Sequence, residues 1–124
     1  MPYSNYNPNP AGRSVGDCAI RAVALATGKD WEAAYCALAA AGLDMKDLPN
    51  ADSVWGGYLL RHGFRRRMLD ERHGYTVAEF TEDHPRGLYV LSMPGRHVVA
   101  VLDGDYYDSW DSGAEVPVYY YERE

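Results

Sequence analysis

A cysteine heads a segment of small residues, Gly16-Asp17-Cys18-Ala19-Ile20-Arg21-Ala22-Val23-Ala24. A histidine follows far downstream in Gly95-Arg96-His97-Val98-Val99-Ala100-Val101, and an aspartate closes the set in Asp108-Ser109-Trp110. Thiol, imidazole and carboxylate are the parts of a cysteine nucleophile site. Cysteine attacks as the thiolate, and an unperturbed thiol with a pKa of about 8.5 holds little thiolate at neutral pH. The positive end of a helix and a neighbouring imidazolium both favour the thiolate. His97 would take the thiol proton and return it to a leaving amine, while Asp108 would bind the other ring nitrogen and fix the tautomer. Unpaired N–H groups at the helix start would stabilise an oxyanion beside the sulfur.

These roles require Cys18 at a helix N-terminus and the other two residues on adjacent strands. The first helix is expected over about Asp17 to Thr27, apolar on nearly every side except Arg21 and therefore buried, with Gly28 as its stop. Asp30 caps a second helix, Trp31 to Ala41, closed by Gly42, and its alanines allow close packing on the first. A third helix is expected at about Ser53 to Arg61, a strand over Phe64 to Leu69, and a short helix opened by the capping box Thr76-Val77-Ala78-Glu79. Strands follow over Leu88 to Ser92, His97 to Leu102, Asp105 to Ser109 and Val116 to Tyr121, the last held to an edge or to its start by Pro117. Asp103-Gly104 is a hairpin signal. A turn centred there pairs residues whose numbers sum to about 207, so His97 faces roughly position 110 with Asp108 in diagonal reach. Asp111 is the weaker carboxylate, and Trp110 would cover the His–Asp bond from water. Helices first and an antiparallel sheet afterwards make an α+β pattern.

The chain has 124 residues, one domain by length. Residues 1–14, with three prolines, read as an extended arm, of which Tyr3 and Tyr6 should pack at least half. A net charge of −6 argues against non-specific nucleic-acid binding. The local exception, Arg61, Arg65, Arg66, Arg67 and Arg72, reads as a solvated strand face, with an anion site as the alternative. Two cysteines are too few for a disulfide framework. The start, Met1-Pro2-Tyr3-Ser4-Asn5, lacks the basic and apolar regions of a signal peptide, and no apolar run approaches a bilayer span, so a cytoplasmic protein without a membrane partner is expected.

At these residues the chain resembles the papain-like cysteine peptidases, most of all the small bacterial branch around the double-glycine leader peptidase domains of bacteriocin exporters. In that superfamily the nucleophile starts a buried central helix, as Gly16-Asp17-Cys18 would here, and the base begins a strand, like His97-Val98-Val99. Asp108-Ser109-Trp110 is similar to papain's Asn-Ser-Trp, with Asp for Asn. The resemblance covers two islands, roughly residues 14–28 and 87–112. It implies a papain-like fold, a buried N-terminal helix packed against a C-terminal antiparallel sheet, and a hydrolase acting on peptide or amide bonds of a protein or peptide substrate without a cofactor. It also implies an oxyanion-hole Gln six residues before the nucleophile. That position is Gly12, and Asn9 is the nearest amide that would reach over, with Asn7 behind it.

Other readings stand beside this one. Taken singly, Cys18 is a small buried core residue; with His97 and Asp108 in this order it becomes a site. The same triad serves a glutamine deamidase or an acyltransferase. A weak or inactive domain of this kind would act as a protein-binding module or inhibitor, with Tyr106-Tyr107 and Tyr119-Tyr120-Tyr121 as its surface. A zinc site of Cys18, His97 and Asp108 lacks any short ligand pair, so no metal is expected. Arg21 and Trp110 are substrate-binding candidates, Arg21 gripping a carboxylate or bracing the site, with a structural ion pair as its other reading. Trp55-Gly56-Gly57-Tyr58 reads as helix packing before substrate groove, Cys36 as core, and His62, His73 and His84 as surface.

Overall fold

A computed structural model describes residues 2–69 and 74–123. Arg72 and His73 lie outside the described residues.

Helix α1 spans Cys18–Thr27 and runs through the middle of the molecule, with Ala19, Ile20, Ala22, Val23, Ala24 and Ala26 all buried. It ends where Gly28 takes φ 68°, returning its N–H to Leu25. Helix α2, Trp31–Met45, starts at Asp30, whose carboxylate accepts the Ala33 N–H, and packs on α1 along Ala34, Leu38 and Gly42. Four-residue spacing places these three on one face, so Cys36 falls on the opposite side and is exposed rather than core. Nor does Gly42 end this helix. The loop behind α2 folds back onto it, giving the Asp47 N–H to the Gly42 carbonyl at 2.8 Å, and a Cβ at Gly42 would stand 2.7 Å from the Asp47 carbonyl oxygen. The glycine serves that close approach, and Lys46, at φ 59°, is the left-handed stop.

Helix α3, Asp52–Arg61, carries Trp55 into the core, where it stacks with Tyr119 and meets Tyr121 edge-on. Trp55-Gly56-Gly57-Tyr58 therefore packs a helix. Helix α4, Val77–Asp83, opens on the expected Thr76/Glu79 capping box. His84 at its end is half-buried against Phe80 rather than free on the surface.

The strands are β1 (Tyr3–Asn5), β2 (Phe64–Met68), β3 (Leu88–Met93), β4 (His97–Leu102), β5 (Asp105–Asp108) and β6 (Tyr119–Arg123), in the sheet order β1-β5-β4-β3-β6-β2. The sheet is mixed, not purely antiparallel, because the N-terminal arm adds β1 parallel to β5. Tyr3 packs on Tyr106, and Pro2 accepts the Tyr106 N–H, so the arm is held where its aromatics find partners. Pairing of β6 starts after Pro117 and not at Val116: proline has no N–H to give, and the first bond in this stretch runs from Val118 N–H to Ser92. Strand β2 lies at the edge with Arg65, Arg66 and Arg67 exposed; Arg67 pairs with Glu122, and Arg66 lies over the Tyr119 ring.

Period-two alternation divides the core. Val90, Val98 and Ala100 pack against α1 to α3, while Leu91, Val99 and Val101 belong to a second cluster with Val77 and Phe80 of α4. The architecture is α+β, with a central helix lying on a six-stranded mixed sheet.

Candidate active site

Cys18 is the first residue of α1 and half-buried. Asp17 precedes it at the cap position but does not cap with its side chain. That carboxylate instead accepts from Arg21 one turn along, and from Trp31 Nε1 at 2.8 Å. The thiol points at the β3–β4 turn, donating to the Arg96 carbonyl at 3.4 Å. Arg96 sits at φ 65°, in the left-handed region, immediately before His97.

The β4–β5 hairpin brings in the other two residues. Its observed pairs, Ala100 with Tyr107, Val101 with Tyr106 and Leu102 with Asp105, follow the register expected from Asp103-Gly104. His97 Nε2 meets Asp108 Oδ2 at 2.6 Å. Nδ1 is then the ring nitrogen left for sulfur. Burial pulls His97 toward the neutral form. The hydrogen bond to Asp108, the hydrogen bond to Cys18 and the charges of both outweigh it, and the imidazole is pushed up from 6.5 to about 9. Trp110 stacks on it with ring centroids 4.9 Å apart, while staying 49% exposed.

The Asp108 carboxylate is 1% exposed and receives four hydrogen bonds. Arg21 and the Ser109 N–H reach Oδ1 at 3.0 and 2.8 Å; His97 and the Ser112 hydroxyl reach Oδ2 at 2.6 and 2.7 Å. Burial pushes this carboxyl up, and the bonds from His97 and Ser112, the His97 charge and the Ser109 N–H hold it below the ordinary carboxylate range. It stays an anion.

Cys18, His97 and Asp108 thus come together from three separate elements. Arg21 does not reach substrate. It is only 6% exposed, and it bridges Asp17 and Asp108, bracing the site from behind. Asn9 does not reach over the sulfur; its side-chain carbonyl accepts the Ala11 N–H at 2.9 Å in a local turn. Asp111 accepts from Tyr106 and from the Gly113 N–H, away from His97. Sequence reasoning missed Ser112, Asp17 and Trp31. Asp17 and Arg21, four residues apart on one helix face, carried a legible pairing signal; Ser112 carried none.

A cavity of about 360 Å³ is bounded by Arg96 on one side and by Asp47, Asn50, Asp52 and Ser53 before and within α3 on the other; Cys18, His97 and Asp108 do not line it. No group of three or more His, Cys, Asp or Glu side chains that could hold a metal ion gathers among the described residues, and no helix among them is long and apolar enough to cross a membrane. No protein-family model, no curated protein and no solved structure matches the chain.

Proposed function

We propose that this chain is a cysteine-dependent hydrolase of peptide or amide bonds with a papain-like arrangement of nucleophile, base and carboxylate. The observation that carries the reading is the geometry: His97 Nε2 lies 2.6 Å from a buried carboxylate, and a half-buried thiol at the start of a helix bonds the carbonyl of the preceding residue, Arg96. A thiol against a fixed cation, at the positive end of a helix, is the setting in which cysteine becomes a nucleophile.

The Cys18 thiolate attacks the carbonyl carbon, forming the C–S bond as the carbonyl π pair moves to oxygen. N–H groups of the first turn of α1 are the donors for that oxyanion, since neither Gly12 nor Asn9 supplies an amide. The intermediate collapses, the C–N bond breaks, and the His97 imidazolium gives its Nδ1 proton to the leaving amine. Water then attacks the thioester, neutral His97 takes its proton, and the acid departs with thiolate and imidazolium restored. Asp108 holds the ring throughout without accepting its proton. Deamidation and acyl transfer run through the same intermediates and differ only in the group that leaves or attacks.

The tyrosine clusters that would serve a binding module are largely turned inward: Tyr106 and Tyr121 are buried, and Tyr119 and Tyr120 pack on core residues. Cys18→Ala and His97→Ala are each expected to keep the native circular dichroism spectrum and to lose turnover of a peptide-amide library by at least about 10³-fold. Turnover that survives both substitutions refutes the proposal.

A further inference from the structure

Asp108 is the most heavily bonded carboxylate in the site, and its two oxygens differ in how they are held. Oδ1 is fixed by Arg21 and the Ser109 N–H, both of which would remain if the other side changed. Oδ2 is shared between two donors, His97 Nε2 at 2.6 Å and Ser112 Oγ at 2.7 Å. Ser112 is 1% exposed, and neither Cys18 nor His97 is among its hydrogen-bond partners. A hydroxyl buried to this degree must spend its proton on a partner, and here the partner is the oxygen that orients the base.

We infer that Ser112 is a positioning residue of the triad, which acts through Asp108 by occupying the second lone pair of Oδ2 and so sets how strongly that oxygen holds His97. The inference rests on the proposed reading of the triad for its catalytic meaning, but the bond it concerns can be tested without any turnover. A charge-assisted hydrogen bond draws electron density from its acceptor. With Ser112 donating, Oδ2 attracts the imidazolium proton less; without it, His97 becomes the sole donor to a buried anionic oxygen whose orientation Arg21 and Ser109 still maintain. The groups facing His97 are Cys18 from α1, Asp108 from β5, and the Trp110 ring. Asp108 in turn meets Arg21 from α1, and the Tyr3 hydroxyl donates to its backbone carbonyl at 3.3 Å. Of these, the Ser112 hydroxyl hydrogen-bonds Asp108.

The test is the titration of His97 by NMR of the full chain in a Cys18→Ala background, which removes the sulfur's contribution and makes the result independent of nucleophile activity. Ser112→Ala is expected to move the His97 titration upwards by about one pH unit, the size of one hydrogen bond to a charged group. Ser112→Thr, which keeps the hydroxyl, should stay at the parent value. Ser112→Cys, a weak donor, should move it upwards by less than alanine does, and it serves as the second reading should alanine impair folding. A serine that merely holds the loop leaves the titration where it was. An unchanged or lowered His97 titration in Ser112→Ala, or in Ser112→Cys where alanine does not fold, overturns the inference. If Cys18 in the unsubstituted chain shows no His97-dependent reactivity while this shift is present, the hydrolase reading fails and the positioning role of Ser112 stands.

Discussion

Ionisable groups in the site follow one another along a single path: the Asp17 carboxylate, the Arg21 guanidinium, the Asp108 carboxylate and the His97 ring. Each buried charge is compensated by its neighbour, so removing one leaves others exposed to the low-dielectric interior. Arg21→Met illustrates the cost. It places two buried carboxylates near each other without the cation between them, and breaking a buried pair in this way typically costs about 3–5 kcal/mol. A urea titration should show that loss as a lowered midpoint with an unchanged slope; a loss under about 1 kcal/mol would mean that Arg21 contributes little to holding the site. Cys18, His97 and Asp108 could be singled out from the sequence because their three residue types carry their chemistry in their names. Ser112 and Asn9 show the limit of that legibility. Serine gains its meaning only from the oxygen it meets, and asparagine prefers a local turn to a distant sulfur because the Ala11 N–H is two residues away.

At the scale of elements, local signals held where their cause was local. The capping box at Thr76 and Glu79 formed, and the Asp103-Gly104 turn fixed the register that brings His97 to Asp108. Signals failed where a distant segment decided the outcome. Gly42 reads as a helix stop, yet it is kept by the chain returning over α2 at Asp47. Gly42→Ala, ordinarily favoured inside a helix by about 1 kcal/mol, should here destabilise by about 1–3 kcal/mol, because its Cβ would press on the Asp47–Pro49 backbone rather than on a flexible side chain. Thermal unfolding decides between these signs, and an alanine variant with a raised midpoint would show that the loop yields. Strand β1 belongs to the same class of surprise. Three residues pair with a strand about a hundred positions away, and nothing in Tyr3-Ser4-Asn5 announces that partner.

For the whole molecule, the consequence of this topology is that one end of the sheet collects the candidate site. The β3–β4 turn supplies Arg96 and His97, the end of β5 supplies Asp108, and the N-terminus of α1 delivers the sulfur against them. The arm reinforces this end, since the Tyr6 N–H and the Tyr3 hydroxyl both donate to the Asp108 carbonyl. A mainly helical first half and a mainly stranded second half were readable from the hydrophobic period; their meeting at Cys18 was not, because it depends on how α1 lies across β4. The most direct test of the central claim is the pH dependence of iodoacetamide alkylation, read residue by residue by mass spectrometry in the full chain and in His97→Ala. Cys36, exposed on α2, is the internal reference in the same sample. The thiolate–imidazolium pair predicts rapid alkylation of Cys18 near pH 6, well ahead of Cys36, and loss of that acid-side reactivity in His97→Ala. Cys18 alkylation that tracks Cys36 across the whole pH range, or that is indifferent to His97→Ala, would contradict it.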